Sequence, residues 1–276
     1  MNTRKILIIA ISIVCVFAVG YGIYFQVFVR NAIDVNDTTQ EWGTNEKALV
    51  QELDSLFDNQ INYQNNNFNT NNKIDQAKDI VYATYTLNEI YEGKYSITAD
   101  IPMININTEK AININKEITA KFKDKLDSII ANSNKQDNIM TRYTVQYTAY
   151  INQNILSLVI KSTLKEGSNA QRLIIQAYTY NLSTNEEISL ADMLELKGIN
   201  QTGVKREIKR VVQEGISRAE NLVAIGYNVY ERDINSKLYE IENSNNYFLG
   251  PNGTIYIIYA YGNSYHTSES DVVMIE

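Results

Sequence analysis

Between Lys5 and Arg30 the chain runs for 24 residues without a formal charge, from Ile6 to Val29. As a helix, at about 1.5 Å per residue, that run reaches roughly 36 Å, against a bilayer hydrocarbon core of about 30 Å. No core helix of a globular domain needs such a run, so residues 6–29 are expected to span a membrane. A cleavable signal peptide has an apolar region of roughly 7–15 residues. Here apolar character continues past the small residues Ala18 and Gly20 through Tyr21, Ile23, Tyr24, Phe25, Val27 and Phe28, which favours an anchor over a cleaved leader. Arg4 and Lys5 precede the run, whereas Arg30 is followed by Asp34, Asp37 and Glu41. The positive-inside rule therefore puts residues 1–5 in the cytoplasm and everything beyond 30 outside the cell membrane.

The outward part carries 22 basic and 32 acidic residues, a formal charge of −10. Nucleic-acid binding needs a basic surface and is excluded as a main activity. The single cysteine, Cys15, lies within the membrane run, so no intrachain disulfide and no cysteine-ligated metal is available. One histidine, His266, allows at most one triad centre. It sits beside Ser264, Ser268, Glu269 and Asp271. Nucleophilic catalysis also needs an oriented base and an oxyanion hole, and no Gly-x-Ser-x-Gly elbow occurs. Glu186-Glu187 and Glu269/Asp271 lack the spacing of a calcium loop and are expected to be exposed carboxylates. No catalytic residue, no metal and no cofactor are expected.

Residues 30–77 are expected to form a short helix (46–57, behind Thr44) and a stalk, since 59–72 contains eight Asn and no charge. Folded structure is expected from about Lys78. Alternating runs at 95–102, 143–151, 155–163 and 171–180 read as strands, the middle ones as an antiparallel meander. Thr108 opens a long helix whose stripe is Ala111, Ile112, Ile118, Phe122, Leu126, Ile129 and Ile130. Thr202 opens another, with Val204, Ile208, Val211, Val212, Ile216, Ala219 and Leu222 on one face, and Lys205, Arg206, Lys209, Arg210 and Arg218 on a solvated one. A hairpin at 247–261 and a last strand at 271–275 complete an α+β fold of antiparallel β-sheets packed with two long helices.

Three stretches, 95–104 with the helix at 108–133, Tyr178 to Leu194 with its strand, polar turn and Leu190-Ala191-Asp192 helix start, and 247–263, resemble the bacterial extracytoplasmic domains of unknown function 4163 and 3298. The resemblance covers 78–276 and implies a first domain at 78–167 and a second at 168–276. It departs at Gly167-Ser168-Asn169-Ala170-Gln171, where a Gly-Gly-Ala-His stretch is common in the family. Such domains include the outward half of the RsiV anti-sigma factor, which captures lysozyme, and a non-catalytic domain of a peptidoglycan deacetylase. The resemblance implies a wall-facing domain, ligand-binding in the RsiV-like manner or structural, and not catalytic; the cell is expected to be a Gram-positive bacterium. Residues 1–5 are too few for a sigma-binding segment.

Exposed tyrosines offer stacking area and a hydroxyl, so the tyrosine-rich strands are the expected recognition surface, with about a third of their tyrosines exposed. Among these, Tyr259, Tyr261 and Tyr265, with His266, Asn169 and Gln171, are the expected ligand-contact residues. Expected partners are lysozyme or another cationic protein, or peptidoglycan fragments, besides the lipid bilayer through residues 6–29. The alternatives are a cell-wall hydrolase or deacetylase using His266, and an accessory subunit of a membrane complex that seats a partner helix on Gly20 and Gly22.

Overall fold

Alternation of apolar and polar side chains from Tyr95 to Ile101 gives the strand Tyr95–Ile104 a buried face: Tyr95, Ile97, Ala99 and Ile101 point into the core, while Ser96, Thr98 and Asp100 point away. The computed structural model describes residues 56–57, 61–64, 72–133, 140–169, 171–226, 229–261 and 269–276. The run expected to span a membrane, the residues expected to be cytoplasmic and the helix expected at 46–57, except its last two residues, lie outside them, as do Tyr265 and His266. The compact unit that contains the described residues begins at Leu56.

Strands β1 (Ile61–Gln64), β2 (Val81–Tyr91), β3 (Tyr95–Ile104), β4 (Thr141–Asn152), β5 (Ile155–Glu166), β6 (Arg172–Asn181) and β7 (Glu186–Glu187) form the larger sheet in the order β2-β3-β4-β5-β6-β7. β1 runs parallel to the second half of β4, from Ile61 opposite Ala149 to Gln64 opposite Asn152. This strand lies inside the stretch expected to be a stalk. Asn-rich sequence can join a sheet here because the backbone supplies the ladder bonds, and β4 offers an edge beyond the end of its pairing with β3.

Helix α1 spans 109–132 and is capped by Thr108, whose hydroxyl accepts from the Ala111 amide at 3.3 Å. Its buried stripe is Ala111, Ile114, Ile118, Phe122, Leu126 and Ile129; Ile114, not Ile112, completes the spacing, and Ile112 is exposed. One wider, π-helical turn at Thr119–Lys123 holds Phe122 in the core. Because α1 carries the chain back to the starting end of β3, β4 pairs with β3 in parallel, Tyr95 opposite Thr141 through Ala99 opposite Val145. The sheet is therefore mixed, and the expectation of purely antiparallel sheets is corrected: a helix-length crossover lets the chain return in the same direction.

β5 and β6 pair over ten residues through the turn containing Gly167. The division expected at 167/168 falls in that turn, so both halves share one sheet. Beyond β7, Ser189 caps α2 (Leu190–Leu196) and Asn200 caps α3 (Gln201–Ala224), accepting from the Asp192 and Thr202 amides at 3.1 and 2.8 Å. α3 buries Val204, Ile208, Val212, Gly215 and Ala219, while Leu222 at its end is exposed. Strands β8 (Tyr247–Leu249), β9 (Ile255–Tyr261) and β10 (Glu269–Ile275) form the second, antiparallel sheet in the order β10-β9-β8.

Each sheet has its own hydrophobic cluster, one under α1 and one under α2 and α3. The sheets meet through aromatic stacking and side-chain hydrogen bonds. Phe248 stacks on Tyr150 and Tyr256, and the Leu249 amide donates to Ser157 Oγ at 3.0 Å. Asn246 takes the place of a strand beside β6: its Oδ1 accepts from the Ala177 amide at 2.7 Å and its Nδ2 donates to the Ile175 carbonyl at 2.8 Å. The second sheet thereby covers the far half of the face of the larger sheet that turns away from α1.

Candidate ligand-contact surface

The carboxylates of β10 expected to be exposed are not. Asp271 is 1% exposed and both its oxygens are occupied. Oδ2 accepts from Arg232 Nε at 2.9 Å and from the Tyr261 hydroxyl at 2.8 Å, and Oδ1 accepts from the Nη2 atoms of Arg218 and Arg232, each at 3.3 Å. Arg232 also donates to Glu269 Oε2 at 3.0 Å and lies over the Tyr261 ring, on which Tyr230 stacks. Burial works against the Arg232 cation, but the Asp271 hydrogen bond and charge outweigh it and raise its pKa. Burial first, then the Asp271 charge, hold the Tyr261 phenol far above its usual range, so it remains a donor. The Asp271 oxygens are held in a fixed set of bonds and the group acts as a clamp: it ties α3 and the 230–232 segment to the stem of the β9–β10 hairpin. The carboxylates expected to be exposed at Glu186 and Glu187 are exposed, in β7.

The structure places Tyr259 and Tyr261 in the second core. Tyr259 is 2% exposed, its hydroxyl 2.7 Å from Ser244 Oγ and its ring edge-on to Tyr239. The hydroxyls of Tyr239 and Tyr261 lie 2.9 Å apart. Tyr143, Tyr147, Tyr150, Tyr178, Tyr180 and Tyr256 are buried as well, so the expected share of exposed tyrosines on these strands is corrected. Tyr143, Tyr147, Tyr178 and Tyr180 lie on the face of the larger sheet that packs into the first core, and β9 is covered on both faces, by α2 and α3 on one side and by the larger sheet on the other, where alternation carries no information about exposure. Asn169 and Gln171 are exposed in the β5–β6 turn, where the Asn169 carbonyl accepts from Lys165 Nζ. Tyr259 and Tyr261 thus belong to the second sheet, and Asn169 and Gln171 to the larger one. Among the described residues, no group of three His, Cys, Asp or Glu side chains is placed to hold a metal.

Beside that turn, and reaching Lys165 at the start of the hairpin end expected to contact a ligand, lies a surface that the sequence alone does not assemble. Where the second sheet ends, the larger sheet keeps an open polar half-face. Register brings Asn88, Thr98, Thr144 and Thr163 into one row across β2, β3, β4 and β5. Three inter-strand steps make this row roughly 14 Å long. Thr98 Oγ1 donates to Asn88 Oδ1 at 3.4 Å, and the Thr144 and Thr163 hydroxyls are 2.5 Å apart. The next row holds the exposed Ile90, then Ser96, Arg142 and Lys165, with Arg142 directly opposite Lys165. Phe57, buried and under the Lys161 ammonium at 5.4 Å, marks one border of the open area. The polar partner of each alternation was legible strand by strand; the register that assembles them was not.

No family model and no curated protein matches the sequence. Among solved structures, the chain resembles a DUF3298 family protein from Pseudomonas aeruginosa PAO1, with 10% identity and a TM-score of 0.38 over 67% of this chain and 83% of that one. It also resembles a member of the DUF3298 family from Bacteroides fragilis NCTC 9343, with 10% identity and a TM-score of 0.29 over 64% and 80% of the two chains. The structural resemblance to DUF3298 family proteins is thus at low identity.

Proposed function

We propose that this chain is a non-enzymatic binding module, held at the outer surface of a bacterial cell membrane by residues 6–29 and exposing its folded unit to the cell wall. One observation carries the reading. Among the described residues, the buried charged groups are consumed in the clamp around Asp271, whereas a largely polar half-face several strands wide stays half-buried to exposed beside the second sheet. Regular strands hold such a face rigid, which lowers the ordering cost of association. The uncharged run supports the location, and the outward charge of −10 favours encounter with cationic proteins such as lysozyme over free anions at long range.

The test is calorimetric titration of the full chain in detergent with a lysozyme and with soluble muropeptides, alongside fractionation of expressing cells. Saturable binding of either ligand without turnover, with the chain in the membrane fraction and protease-accessible from outside, is the expected result. Hydrolysis or deacetylation of peptidoglycan by the purified chain would overturn the reading.

A further inference from the structure

Arg142 and Lys165 stand directly opposite each other on adjacent antiparallel strands, an arrangement in which like charges repel. Lys165 turns its ammonium toward the Asn169 carbonyl, while the exposed Arg142 side chain has no hydrogen bond or ion pair among the described residues. The only carboxylate of that face on β3 is Asp100, four residues along the strand from Ser96 and bonded to Thr86. A locally basic corner therefore sits on a chain whose formal charge is −7. Beside it runs the row Asn88, Thr98, Thr144 and Thr163, whose hydroxyl and amide groups both donate and accept. A guanidinium with a planar fork of donors suits an oxyanion, and the neighbouring row suits the hydroxyls of the chain that carries it.

Resting on the binding-module reading, we infer that the half-face binds an oxyanion, carboxylate or phosphate, borne on an extended hydroxyl-rich chain. Arg142 and Lys165 hold the charge, and the threonine row holds the hydroxyls. Occupation by the anion relieves the repulsion between the two cations, so ligand and face stabilise each other.

The test uses the full chain in detergent micelles with three labelled probes of matched length: oligogalacturonate for the carboxylate, poly(glycerol phosphate) for the phosphate, and neutral dextran. Saturable binding of one or both anionic chains, weakened by added salt and absent for dextran, is expected, and the probe that binds identifies the oxyanion. Reversing both charges, Arg142→Glu with Lys165→Glu, should weaken it by at least about tenfold. Lys205→Glu, on the exposed face of α3, should leave it unchanged. Because both reversed positions lie on a solvated face, the thermal midpoint of the double variant verifies its folding, and Lys165→Arg should retain binding. The inference is overturned if neither anionic chain binds, if dextran binds equally well, or if the double reversal keeps the parent affinity. In the first case, saturable heat from lysozyme or muropeptides would leave the binding-module reading standing while the oxyanion assignment falls.

Discussion

Gly215 of α3 lies so close to Asp271 of β10 that a β-carbon on it would stand 2.8 Å from Asp271 Oδ1 and 2.9 Å from Arg232 Nε. A glycine within a 24-residue helix is costly in propensity, by about 1 kcal/mol relative to alanine. Here its missing side chain is what lets an ion pair pack against the helix. Gly215→Ala should therefore lower stability by a net of about 1–2 kcal/mol, because displacing a close-packed clamp outweighs the helix gain. Chemical denaturation reads this directly, and an unchanged or raised midpoint would refute the packing argument.

Asp271→Asn should be more damaging. Arg232 has a side chain only 4% exposed, and the substitution leaves it with Glu269 as its one carboxylate partner. Breaking a buried ion pair by removing one member costs about 3–5 kcal/mol, whereas exchanging the whole pair for apolar groups costs much less. The double change Asp271→Leu with Arg232→Met should thus be less destabilised than Asp271→Asn. The order of the two denaturation midpoints decides it.

Alkaline pH should unfold the protein through its buried tyrosines. Burial pushes the Tyr143 and Tyr259 phenols up to about 12 from an ordinary 10, and raises Tyr178 and Tyr247 further. In the unfolded chain these groups lose their protons near 10, so the folded state binds more protons above that pH. Their contribution to stability is complete below pH 10 and is lost as pH rises through about 12. Tyrosinate absorbance should rise in a second, cooperative step that coincides with loss of near-ultraviolet circular dichroism. A single gradual step with structure retained would count against it.

Much of the local structure is legible in the sequence because its causes are local. Thr108 caps α1, the 143–151 and 155–163 alternations form β4 and β5, and Val204, Ile208, Val212 and Ala219 line the buried face of α3. What the sequence hides is set by partners far along the chain. Asp271 reads as an exposed carboxylate until Arg232 and Arg218 close on it, and about a third of the strand tyrosines read as exposed until a second layer covers β9. The Thr98–Thr144–Thr163 row depends on a parallel register that the α1 crossover alone determines.

The open face carries a stability cost that can be measured apart from any ligand. Placing a carboxylate at position 142 turns a repulsive cross-strand pair with Lys165 into an attractive one. Arg142→Glu should therefore raise stability by about 0.2–1 kcal/mol at low salt, with the gain shrinking as salt screens it. The same substitution is expected to weaken binding of the anionic probes. A variant that gains stability while losing affinity would mark the native arginine as retained for recognition, whereas a loss of both would assign it a structural role.

The short strand β1 gives the last prediction. It pairs in parallel with residues 149–152 of β4, so its backbone alone supplies part of the ladder there. Successive residues of a strand alternate between bonding to the partner and pointing away, so Asn62→Pro and Tyr63→Pro should differ. One removes a ladder donor at a cost of about 1–3 kcal/mol, and the other leaves that bond in place. Loss of β1 also uncovers the edge of β4 from Ala149 to Asn152, a template for pairing with another chain. The more damaging proline should therefore bring concentration-dependent light scattering along with its lower denaturation midpoint. If both variants match the parent in midpoint and scattering, residues 61–64 belong to the tether after all, and the sheet is complete without them.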